Sequence, residues 1–82
     1  MELKWFSGPY ITLDEAKESL APFQFFQMHG VFQTPEGEFV TSNLRLTQWT
    51  DDEVKAIHDG VLERTGYRLI AWTTALFGWK DY

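Results

Sequence analysis

The chain uses one helix-start device twice, in Thr12-Leu13-Asp14-Glu15 and again in Thr50-Asp51-Asp52-Glu53. In each, the Thr hydroxyl can accept from the backbone N–H of the Glu while the Glu carboxylate reaches back to the N–H of the Thr. Two amides that a helix start leaves orphaned are satisfied reciprocally. Asp14, Asp51 and Asp52 add negative charge at the positive end of the helix dipole. After the first box, Leu13, Ala16 and Leu20 form a narrow apolar stripe. Pro22 ends that helix, because a residue preceding Pro is pushed out of helical space. After the second, Val54, Ile57, Val61 and Leu62 fall on one face and Gly66 supplies a C-terminal cap, predicting a helix from Asp51 to Thr65. Asp51 and Lys55 stand at i, i+4, and Trp49 and Val54 occupy the staple positions around the cap.

The remaining segments read as strands. Glu2–Phe6 is extended and stops at Ser7-Gly8-Pro9, a turn signal. Thr34-Pro35-Glu36-Gly37 separates two β-rich runs, which predicts a hairpin of Phe23–Thr34 with Glu38–Leu46. Tyr67–Phe77 closes the chain as a near-continuous apolar strand. The order strand, helix, strand, strand, helix, strand is that of the ferredoxin-like, split βαβ arrangement. The expectation is a single α+β domain over residues 1–82. Right-handed crossovers would then place both helices on one face of a four-stranded antiparallel sheet. The competing architecture is a hairpin with two helices in which the first strand is absent.

Pairing Thr34 with Glu38 sets the hairpin register. Phe32 then faces Val40, Gly30 faces Ser42, Met28 faces Leu44 and Phe26 faces Leu46, all on one side. That side is nearly all apolar and is expected to lie under the helices; slipping by one residue would mix the faces. The opposite side carries Phe25, Gln27, His29, Val31 and Gln33 against Phe39, Thr41, Asn43 and Arg45. Left uncovered, it would be an aromatic and polar surface suited to a protein partner or a second copy. The expected partner-binding residues are Phe25, Gln27, His29, Val31, Phe39, Asn43 and Arg45, with Trp79 from the C-terminal segment.

Chemistry-bearing patterns are sparse. With 82 residues and no Cys, the chain has no disulfide, thiolate nucleophile or thiolate metal site. Its formal charge of -5 opposes phosphate-backbone binding, so no nucleic-acid partner is expected. No apolar run approaches the roughly 18 residues of a membrane span, and no signal peptide is recognisable, so the expectation is a cytoplasmic protein without a membrane partner. His29 and His58 are too few and too far apart for a metal set, and no cofactor is expected. No catalytic residue is assigned.

The stretch from Lys4 to Leu20, KWFSGPYITLDEAKESL, resembles the strand, Gly-Pro-aromatic turn and Glu-Ala helix of peptidoglycan-binding SPOR domains, which share the βαββαβ order. The second half of the chain has no matching turn, and the likeness assigns no function. Two readings follow. The first is a non-catalytic interaction or regulatory module, of the kind found among phage- or plasmid-borne inhibitors, using the open sheet face. The second is a small homodimeric enzyme or ligand-binding protein with a pocket around His29, oriented by Asn43 and Arg45.

Overall fold

The computed structural model describes residues 6–20, 29–42, 50–74 and 78–82. Their elements are β1 (Phe6–Tyr10), α1 (Leu13–Leu20), β2 (Gly30–Gln33), β3 (Phe39–Ser42), α2 (Asp51–Thr65), β4 (Arg68–Thr74) and β5 (Gly78–Asp81).

Both helices span the residues their local signals dictate. At α2 the reciprocal box is complete: the Glu53 N–H donates to Thr50 Oγ1 (3.2 Å) and the Thr50 N–H to Glu53 Oε1 (3.0 Å). Gly66 closes the helix in the left-handed region, φ 79°, its N–H donating to the Leu62 carbonyl at 2.9 Å. At α1 the Glu15 N–H donates to Thr12 Oγ1 (3.1 Å), and the Thr12 hydroxyl turns toward Glu15 Oε1 (3.3 Å). Lys55 forms its ion pair with Asp59, at 2.9 Å, instead of with Asp51.

The hairpin also takes its expected register, with Val31 opposite Thr41, Phe32 opposite Val40 and Gln33 opposite Phe39. The Thr34 N–H donates to the Glu38 carbonyl at 2.8 Å and the Gly37 N–H to the Thr34 carbonyl at 2.9 Å, closing the turn. The outer parts of the expected strands, with Met28, Leu44, Phe26 and Leu46, lie outside the described residues, as does Trp49 of the expected staple.

The sheet differs from the ferredoxin-like expectation. It has five strands in the order β1-β3-β2-β4-β5, and every neighbouring pair is antiparallel. Two differences are local. Ser7-Gly8-Pro9 does not end the first strand but lies inside β1, where the register with β3 shifts between Ser7 and Tyr10. The expected C-terminal strand is followed by a further one, β5, whose first residue Gly78 has φ 73°.

The third difference concerns the layers. β1 and β2 run parallel with β3 between them, and β3 and β4 run parallel with β2 between them. Both crossovers therefore travel the same way across the sheet, but from strands pointing in opposite directions. Two crossovers of one hand can do this only by passing over opposite faces. In a ferredoxin-like sheet the last crossover travels back past β1, which puts both helices on one face.

Packing agrees with this geometry. Val54 of α2, with Ile57 and Val61, packs with Phe32, Val40, Leu69 and Trp72. Ala16 and Leu20 of α1, with Leu13, pack with Val31, Tyr10, Phe39 and Trp79. Val31 and Phe32 are neighbours in β2, so their side chains point to opposite faces, and each is 0% exposed. The face expected to be open is thus closed over Val31 by α1.

Two irregularities phase the flanking strands. The extra residue in β1 sends Phe6 to the α2 side and Tyr10 to the α1 side. In β4, Val31 pairs with Ala71 but Phe32 with Leu69, leaving Ile70 as the extra residue. Leu69 and Trp72 consequently share the α2 face, although an odd spacing would separate them in a regular strand. Trp72, whose face the sequence leaves open, belongs to the core.

If α1 covers Val31, the substitution Val31→Ala removes buried methyl groups and destabilises the fold by about 2 kcal/mol. On an uncovered face the same change would stay within roughly 0.5 kcal/mol. Urea unfolding monitored by tryptophan fluorescence distinguishes the two.

Candidate functional site

Of the expected partner-binding residues, the four that are described, His29, Val31, Phe39 and Trp79, are buried or half-buried. Val31 is fully buried, and Phe39 is half-buried against Ala16, Leu20 and Val31. Trp79 packs on the same cluster, with the Lys17 ammonium 5.3 Å from its ring centroid. Phe25, Gln27, Asn43 and Arg45 lie outside the described residues, as do Trp5 and Phe77.

His29 is 6% exposed. Its Nδ1 lies 2.9 Å from the Ser42 carbonyl, and since a carbonyl only accepts, Nδ1 carries the proton. Its backbone N–H donates to Thr73 Oγ1 (2.9 Å), and its carbonyl accepts from the Thr73 N–H (2.8 Å). The Gly30 N–H donates to Ser42 Oγ at 3.0 Å. These bonds knit β2, β3 and β4 together. Of these, the Ser42 contact holds the imidazole itself.

The C-terminal segment docks on the domain's own edge. The Tyr82 ring stacks on His58, centroids 4.6 Å apart, and meets Trp72 edge-on at 6.2 Å, while its N–H donates to the Ile70 carbonyl at 2.9 Å. Asp59 sits beside this stack, 2.9 Å from Lys55 Nζ and 3.2 Å from His58 Nδ1. The hydrogen bond from Lys55, then that from His58, holds the Asp59 carboxyl below its ordinary value, and the Asp59 hydrogen bond raises Lys55.

A concave feature lies elsewhere among the described residues. A cleft of about 430 Å³ opens at the hairpin end of the α2 face, lined by β1, the hairpin turn and the residue that follows the α2 cap. Phe6, Val40 and Tyr67 form its apolar floor, Gly8 and Pro9 one wall, and Glu36 and Glu38 carry carboxylates to its rim. The floor is set by ring packing: Phe6 meets Phe32 edge-on at 5.4 Å and Tyr67 at 5.3 Å. Those distances are typical of stabilising aromatic pairs.

Each wall has a local cause. Gly8 adopts φ 123°, which L side chains avoid, and a Cβ there would come 3.1 Å from both the Phe39 carbonyl and the Tyr10 ring. Gly66 turns the chain out of α2 and brings Tyr67 to the floor; a Cβ on Gly66 would lie 3.2 Å from Pro35, so the end of α2 abuts the hairpin turn. Among the described lining residues none is basic.

Sequence reasoning did not find Phe6, Glu36, Glu38 or Tyr67 as site residues. The available signal was the pair of glutamates flanking Gly37 in the turn, read only as turn chemistry. Among the described residues no group of three or more His, Asp or Glu could hold a metal, and no helix is long and apolar enough to cross a membrane.

Two outcomes follow from these contacts. Gly8→Ala should cost roughly 1–3 kcal/mol in urea unfolding, because it forces a strained φ and crowds the Phe39 carbonyl. Asp59 contributes stability above its ordinary value of 3.8, and that contribution is lost as pH falls through the lowered folded value. Lys55→Ala should therefore move the Asp59 titration upward, read from its carboxyl carbon by NMR. No protein-family model, curated protein or solved structure matches the chain, so the likeness of Lys4–Leu20 to SPOR domains remains a local one.

Proposed function

We propose that the chain is a non-catalytic interaction domain that docks a protein partner in the Phe6–Tyr67 cleft. The observation that carries this reading is the cleft itself, lined by the Phe6 and Tyr67 rings together with two carboxylate-bearing residues, Glu36 and Glu38. Concave apolar surfaces with a few convergent polar groups are where proteins take ligands, and aromatic residues dominate the energetics of such contacts. The site differs from the one the hairpin pattern suggests, because the outward face of β2 and β3 is occupied by α1. A second copy is the weaker candidate for the partner: a chain of net charge -5 would bring like charge to the Glu36/Glu38 rim.

The test uses the double variant Glu36→Lys/Glu38→Lys. Both residues are exposed, so its circular dichroism and urea midpoint should match the wild type. Proteins captured by the wild type from its native cell extract are purified and titrated calorimetrically against both forms. A partner that binds the wild type with defined stoichiometry and the variant at least tenfold more weakly supports the proposal. Partners that bind both forms alike overturn it.

A further inference from the structure

Resting on that reading, we infer that the cleft takes an arginine side chain from an extended basic segment of the partner. Three features converge on a cation of this shape. Glu36 and Glu38 place two carboxylates at one rim. The floor offers the Phe6 and Tyr67 rings, and the electron-rich face of an aromatic ring attracts a cation. Among the described lining residues no Lys, Arg or His neutralises this field.

The described lysines are engaged elsewhere. Lys17 lies over Trp79, Lys80 over Trp72, and Lys55 beside Asp59. The chemistry favours arginine over lysine. A planar guanidinium can lie against a ring while its N–H groups reach two acceptors, whereas an ammonium is a compact, strongly hydrated point charge. A volume of about 430 Å³ exceeds what one side chain fills, leaving room for the residues that flank it in a peptide. A chain segment therefore fits this cleft better than a lone small cation.

The experiment is an amide NMR titration of the full chain with three capped peptides, Gly-Arg-Gly, Gly-Lys-Gly and Gly-citrulline-Gly. Citrulline keeps the shape of arginine and removes its charge. The expected result is a saturable shift of the Phe6, Gly8, Glu38 and Tyr67 amides with the arginine peptide, about threefold weaker binding of lysine, and none of citrulline. Glu36→Gln/Glu38→Gln should weaken the arginine peptide about five- to tenfold, and raising the salt concentration should weaken it further. Equal binding of the arginine and citrulline peptides, a lysine peptide as tight as arginine, or shifts confined to another surface would overturn the inference. So would the absence of any shift at the cleft. The interaction reading is judged separately: a captured partner lost on Glu36→Lys/Glu38→Lys keeps it standing when all three peptides fail.

Discussion

The four-residue strand β2 carries a two-sided burial constraint on which the rest of the sheet depends. Val31 and Phe32 are adjacent, both are 0% exposed, and alternation sends them to opposite faces. A sheet buried on both sides at its middle strand needs a covering layer on each side. The chain has two helices to give among its described residues, and it spends one on each face. A domain of this size, without disulfides, has little apolar surface to waste, and two thin covers bury both halves of a short central strand. Among the described residues the central sheet surface is consumed by the fold, and the proposed docking cleft lies at its margin.

The flanking strands reach both cores through displaced residues. A regular β1 would send Phe6 and Tyr10 to the same side; its extra residue gives one ring to each core. The extra residue Ile70 lets Leu69 and Trp72 fill the α2 side together. The same devices protect the margins. Pro9 and the bulge interrupt the ladder of β1, and Lys80 and Asp81 put charge on β5, so neither outer strand offers a long flat template for further pairing.

What the sequence made legible was local. Both capping boxes, the Gly66 stop and the Thr34–Glu38 turn are set by residues a few positions apart, and helix limits and hairpin register followed from them. The layer arrangement was not legible, because it depends on which side of the hairpin the strand after α2 joins. Next to β1 it would give a ferredoxin-like sheet; next to β2 it sends α2 to the other face. Nothing in Arg68–Thr74 marks that choice. Val31 was the available clue: a β-branched residue at the centre of a supposedly open face is better explained by burial. The cleft was invisible for a related reason. Its floor and rim come from four segments, and Phe6 reaches it through a bulge that reads, in sequence, as a turn.

A margin can be left unfinished for want of residues or kept open because something else completes it, and charge placement bears on which applies here. Elsewhere on the surface the described lysines have local partners, rings for Lys17 and Lys80 and a carboxylate for Lys55. At the cleft negative groups gather instead, two glutamates within three residues of one another. Turn geometry requires only Gly37 at its positive φ and the Thr34 hydroxyl that accepts the Glu38 N–H at 3.1 Å; neither glutamate side chain is needed for it. A lysine at position 36 or 38 would serve the turn equally and would relieve the field. On the proposed reading, carboxylates kept beside these rings, where the turn asks nothing of them, serve what the cleft binds.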